Sequence, residues 1–238
     1  MNRLLLLLSL FTCKILSAQT LQLNIRHEVS GKPMLLDSTS YLNAMGETFS
    51  ISVFKYYLSN FSLTTQKGQK IILPAAYFLI SEDSAASKKI ILKQLPAGTY
   101  SSISFMIGVD SIMNFSGAQG GALDPVHGMF WTWNSGYIMA KLEGTSPVTK
   151  HPNHVLQFHI GGYRAPHITQ RTVTLELPRP LVIQRGQTVA VTLAADAASW
   201  FGEPFKISFR EYAGFMSPGT VADRIADNYQ HMFSVKGL

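Results

Sequence analysis

Between His127 and Trp133 the chain places an imidazole, a thioether and two indoles: His127-Gly128-Met129-Phe130-Trp131-Thr132-Trp133. Three kinds of chemistry fit such a cluster. The rings can pack under a loop as amphipathic core. They can form a platform on which a sugar stacks. Or His127 and Met129 can frame a metal, since imidazole and thioether are both ligands for copper. The residues alone leave all three open. The histidines extend the question, because five of the seven lie between 127 and 167: His127, His151, His154, His159 and His167. His27 stands apart, in the apolar phase of Leu23, Ile25 and Val29. It reads either as a core histidine hydrogen-bonded to a neighbour or as an imidazole held rigidly for a metal. His159 comes just before Gly161-Gly162, where a strand would end and the chain turn. His151 and His154 flank Pro152-Asn153 in a turn and read as solvated. A zinc site of histidines and acids would fit the same spacing as a copper site. The sequence has no G-x-S-x-G elbow, H-E-x-x-H, phosphate-binding loop or dinucleotide fingerprint, so a non-enzymatic protein is expected.

The elements that must carry these side chains are strands. Leu21, Leu23, Ile25, His27 and Val29 alternate with polar residues, and the same period of two recurs at 103–107, 173–177 and 189–193. Further β-rich runs fall at 50–65, 71–80, 88–93, 136–143 and 154–160, separated by turn signals such as Lys67-Gly68, Pro96-Ala97-Gly98 and Arg185-Gly186. One apolar and one polar face suit an antiparallel β-sandwich. A short C-terminal helix is predicted over Val221 to Met232, where Val221, Ala222, Ile225, Ala226 and Tyr229 share a face. Residues 108–135 show no period and are rich in Gly, Asn, Met and aromatics, as a long functional loop would be. The fold expected is therefore all-β: a sandwich with one C-terminal helix and one long functional loop.

The N-terminus has the order of a secretory signal peptide over residues 1–18: Arg3, the run Leu4–Leu8, then Leu16-Ser17-Ala18 before Gln19. Residues 19–238 then form one expected domain, in a periplasmic or secreted protein. The sole cysteine, Cys13, lies inside the leader. Phe11 and Thr12 before it are bulkier than a lipid-attachment site prefers, which argues against an outer-surface lipoprotein. The net charge is +6, of which Arg3 and Lys14 supply two, leaving +4 after cleavage. With no basic run, that excludes nucleic acid as a partner. No later stretch has the ~20 apolar residues of a transmembrane segment.

Several segments resemble the MbnP-like family of periplasmic copper-binding proteins. They are Lys55-Tyr56-Tyr57-Leu58-Ser59-Asn60, His127-Gly128-Met129-Phe130-Trp131-Thr132-Trp133-Asn134-Ser135-Gly136-Tyr137, Lys141-Leu142-Glu143-Gly144, Phe158-His159-Ile160-Gly161-Gly162 and the tail Ile225–Phe233. The resemblance spans nearly the whole chain after the leader. It implies a β-sandwich that holds copper, Cu(I) or Cu(II), on histidines. It also implies a partner dihaem enzyme of the peroxidase type that oxidises a motif tryptophan, Trp131 or Trp133, to kynurenine. His159 matches the downstream histidine, His27 fits one on the first strand, and His127 and Met129 adjoin the motif. The cysteine pair that some members carry after the histidine-glycine segment has no counterpart here. On this reading His27 and His159 lie close together beside the Trp131–Trp133 segment. The competing expectation is a non-metal sandwich that binds glycan or protein.

Overall fold

The computed structural model describes residues 19–133 and 136–238. The leader expected over 1–18 lies outside the described residues, as do Asn134 and Ser135. The elements that matter here are β1 (Gln19–Val29), β2 (Thr48–Thr65), β3 (Tyr77–Ser81), β4 (Lys89–Leu95), β5 (Gly98–Ile107), α1 (Ser111–Phe115), β6 (Phe130–Trp131), β7 (Gly136–Thr145), β8 (Val155–Gly161), β9 (Arg171–Ile183), β10 (Thr188–Asp196), α2 (Thr220–Tyr229) and β11 (Phe233–Gly237). The expected run at 71–80 is split around Pro74 into a short strand, Lys70–Ile72, and β3 at Tyr77–Ser81, both paired antiparallel with β2.

Two sheets result. The smaller runs β11-β10-β1, with β4 also on β1. The larger runs β9-β5-β2-β7-β8, with β3 on β2 and β6 on β7. Alternation decides which side chains meet between them. Leu21, Leu23 and Ile25 of β1 face Phe54, Tyr56 and Leu58 of β2, Ala140 and Leu142 of β7, and Phe158 and Ile160 of β8, all in one buried cluster. Aromatic rings bridge the sheets: Phe233 of β11 meets Phe105 at 4.9 Å and Tyr56 at 5.7 Å. The sandwich is antiparallel with two exceptions among the described residues: the short strand Gly214–Phe215 runs parallel to β8, and the longer exception involves the first strand. β1 pairs with β10 in parallel, Leu21 opposite Val189 through Glu28 opposite Asp196. Parallel neighbours need a long connection, and here it carries every long strand of the larger sheet, together with β4, before the chain returns.

The predicted helix forms as α2, ending at Tyr229 rather than Met232 because the chain must turn into β11. Its Ala222, Ile225, Ala226 and Tyr229 are buried, and Tyr229 packs on Trp200 at 5.4 Å. No helix among the described residues is long and apolar enough to cross a membrane.

A second buried cluster lies on the other side of the larger sheet. Tyr57 alternates with Tyr56 and so points outward, where it joins Val109, Leu123, Met129, Trp131, Tyr137, Ile138, Met139 and Tyr163. Residues 108–133 are therefore folded down onto the outer face of β2 and β7 rather than projecting from the sandwich. Asp110 starts α1 by accepting a hydrogen bond from the Met113 N–H, and Asp124 caps the short turn of helix at Pro125–His127 in the same way through Val126. Gly128, at φ +67°, then reverses the chain into β6.

Candidate functional site

His27 occupies the layer between the sheets. Its side chain is fully buried. Nδ1 lies 2.7 Å from Glu82 Oε2 and Nε2 lies 2.8 Å from the Tyr56 hydroxyl. Phe54 packs edge-on against the ring at 4.9 Å. Lys88 completes the arrangement with a 2.8 Å bond to the same Glu82 oxygen. Burial pushes the His27 pKa down, only partly opposed by Glu82. For Glu82, burial acts upward, but the bonds from His27 and Lys88 outweigh it and hold the carboxyl below its ordinary range.

Both shifts have the same consequence. A depressed folded pKa means that the unfolded chain binds the proton more readily, so stability is lost as pH falls. The His27 contribution fades below the ordinary histidine value of 6.5 and the Glu82 contribution below the ordinary 4.5. Thermal melts should therefore shift downward between pH 7 and pH 5, before carboxylates titrate in bulk. The His27→Gln variant, with no proton to take up, should lack that first step. An unchanged pH profile in the variant would show that His27 is not its source.

His159 sits on the opposite side of the larger sheet. It pairs with Lys141 across β7–β8, and Lys141 pairs with Lys55 across β2–β7. Directly opposed residues in an antiparallel sheet share a face, so Lys55, Lys141 and His159 form a row pointing away from Phe54 and Tyr56. The expectation that His27 and His159 meet over one ion is corrected here: a sheet separates them. The physical reason is phase. His27 is in register with the apolar set of β1, whereas His159 alternates with Phe158 and Ile160 and takes the polar side of β8.

The expected aromatic company of His159 is nevertheless present. Trp131 is buried and its six-membered ring lies over Gly161, so that a Cβ on Gly161 would meet Cζ3 at 2.6 Å. Residues 159 and 161 point to the same face of a strand, which puts the indole's seat two residues along from His159. Trp133 stacks on Trp131 with centroids 5.4 Å apart and is 64% exposed. Met129 is fully buried in the outer cluster, so it is packing rather than an open thioether. His127 is exposed, with Nε2 3.0 Å from the Gly121 carbonyl.

His159 is held in one orientation. Its Nε2 lies 2.6 Å from Glu143 Oε1, and the imidazole is 12% exposed. That hydrogen bond from His159 holds the Glu143 carboxyl below its ordinary pKa, against burial. Lys141 donates to the Gly128 carbonyl at 2.6 Å, pinning the loop to the sheet, and lies 3.8 Å from the same Glu143 oxygen. Burial lowers the Lys141 pKa, with Lys55 adding to the effect. Glu143, Lys141 and Lys55 were missed as site residues by sequence reasoning. The signal was the pair of charges at alternate positions of an otherwise apolar run, 136–144, which must face one way together. Among the described residues, no three His, Cys, Asp or Glu side chains group as a metal cage.

His151 and His154 are exposed in their turn, as expected. His167 was given no role, yet its Nδ1 bonds Asp223 Oδ2 of α2 at 2.7 Å, fastening the helix to the 163–168 hairpin together with the Arg171–Asp227 pair at 2.7 Å.

Comparison with solved structures finds MbnP from Methylosinus trichosporium, with a TM-score of 0.56 over 86% of this chain and 83% of that one, at 15% identity. That likeness speaks for the fold. No curated protein matches the chain. The sequence profile of MbnP, in contrast, matches residues 18–217, which include the pinned loop, the His159 row and the Trp131 seat, and the chain belongs to the MbnP family.

Proposed function

We propose that the protein is an exported, non-enzymatic copper-binding protein whose metal is held on the outer face of the larger sheet, with His159 as its principal ligand. One observation carries this reading. His159 Nε2 is tied to a carboxylate while Nδ1 has no hydrogen-bond partner among the described residues, and the Trp131–Trp133 stack is seated two residues away. A carboxylate on one ring nitrogen fixes the tautomer that leaves the other as a free donor, the arrangement usual behind metal-bound histidines. Imidazole suits copper in both oxidation states. Lys141 and Lys55 in the same row disfavour a dication more than a monocation, which favours Cu(I).

The family resemblance supplies the oxidised tryptophan. Trp133 is the exposed member of the stack and the one that an oxidising partner, a dihaem enzyme of the peroxidase type, can touch; kynurenine there would bring an amine and a ketone to the site. His127 belongs to the same face and is proposed as an auxiliary group at the rim. A glycan-stacking module is the second reading, and the exposed Trp133 ring favours it.

Metal analysis and intact mass of protein purified from its native host test the proposal. Copper near one per chain, with the mass increment of kynurenine over tryptophan, is the expected outcome. Protein carrying no copper, and shifting on glycan addition instead, would replace this reading with the second one.

A further inference from the structure

Beside the His159 row lies a groove of about 410 Å³. Lys55, Tyr77 and Leu79 of β3, Asp83, Lys89 and His127 are among the residues that line it. Of its lining, only the His127 rim and the charge of Lys55 enter the copper proposal. Its electrostatics are unbalanced. Lys55 stands directly opposite Lys141, and like charges opposed across a sheet are unfavourable. Lys141 is satisfied by the Gly128 carbonyl and Glu143. Lys55 is not: its ammonium, on a side chain 24% exposed, makes no hydrogen bond among the described residues. Its nearest carboxylate there is Asp83 at 4.0 Å. Asp83 is itself 61% exposed and accepts from the Ser81 hydroxyl at 2.5 Å, so it is turned partly elsewhere. Lys89 and His127 add basic groups from two further elements.

A half-buried, under-neutralised ammonium lining a groove together with aromatic and aliphatic side chains is matched by one chemistry: an anionic head on an apolar body. We propose that this groove binds a small organic carboxylate, with its headgroup on Lys55 and its hydrocarbon against Tyr77 and Leu79. The volume is in the range of small-molecule sites, ~300–1,000 Å³. The carboxylate would neutralise Lys55 and relieve its opposition to Lys141, which a neutral ligand of the same shape cannot do.

The probe is 2-naphthoate, set against its neutral isostere 2-naphthamide. Binding is followed by amide chemical shifts of the protein freed of metal on a chelating resin, so that no chelator carboxylate competes and no copper is needed. At the modest efficiency of drug-like contacts, naphthoate should saturate with a Kd of about 1 mM, shifting Lys55, Tyr77 and Leu79. The amide should bind at least tenfold more weakly. Lys55→Met should erase the difference between acid and amide, Lys55→Arg should keep binding within about threefold, and Lys93→Met, on another part of the surface, should change nothing. Equal binding of acid and amide, or acid binding unaffected in the Lys55→Met protein, would overturn the proposal.

Discussion

Replacing His159 by alanine is expected to lower copper affinity about a hundredfold while leaving thermal stability nearly unchanged, and replacing His27 is expected to do the reverse. The asymmetry follows from what each ring touches. His159 is a partly exposed side chain on the polar phase of β8. Its removal deletes the donor and frees Glu143, which still has Lys141 at 3.8 Å. Losing a principal ligand costs about two powers of ten in affinity, or ~2.7 kcal/mol. Glu143→Gln, which keeps the shape but weakens the orienting bond, should cost about tenfold, the lower end for groups behind a metal ligand. His27 is fully buried among Phe54, Tyr56 and Glu82. Alanine there opens a cavity, leaves the buried Tyr56 hydroxyl without its partner and leaves Glu82 with Lys88 alone, at a cost of about 3 kcal/mol. Copper titration and chemical denaturation of the two variants separate the roles. A His27→Ala protein that is stable but blind to copper would reverse the assignment.

The Gly161→Ala substitution is expected to unseat Trp131 and to remove copper binding with it, although no proposed ligand changes. The added Cβ would stand 2.6 Å from Trp131 Cζ3, 2.8 Å from its Cη2 and 3.0 Å from the Tyr137 carbonyl. Contacts that short cannot persist, and the carbonyl belongs to sheet backbone, so the indole must move. Trp131 is 6% exposed in the outer cluster, and displacing it uncovers apolar area worth about 2–3 kcal/mol. The Trp131–Trp133 stack should dissolve, and its near-UV circular dichroism with it. The inter-sheet core is on the other face of β8 and should be untouched, so far-UV signal and cooperative unfolding should survive. Intact near-UV signal with intact copper affinity would mean that the seat of Trp131 has no part in the site.

The sandwich was legible in the sequence because its cause is local. Alternation in β1, β5, β9 and β10 states which side chains are inside without reference to any partner strand, and the single amphipathic helix announces itself by its period. The parallel pairing of β1 with β10 was not legible, since nothing in either strand encodes its neighbour. The same limit governed the site. The identities of Trp131, Trp133 and His159 stood out by type and by family resemblance. The proximity of Trp131 to the strand of His159 was correctly expected. The meeting of His27 with His159 was not met, because strand phase puts a histidine on a face but does not say which of two sheets the face belongs to. For His27 the apolar phase was itself the answer: an imidazole among Leu23, Ile25 and Val29 is core, provided that the fold brings a partner such as Glu82. That partner is 55 residues away, beyond any local pattern. Lys141 and Glu143 were visible as charges and became meaningful only when β8 was laid beside β7.

On the proposed function the metal belongs to the outer face, at His159, and not between the sheets. Titrating Cu(I) into ¹⁵N-labelled protein and following the imidazole nitrogens tests it most directly, since Cu(I) is diamagnetic and each ring reports separately. A large shift of His159 Nδ1 is expected, with a smaller response of His127 and His27 resonances that stay where they are, Nδ1 still bonded to Glu82. A shift at His27 with His159 unmoved would place the metal in the inter-sheet layer and rule out His159 as its ligand.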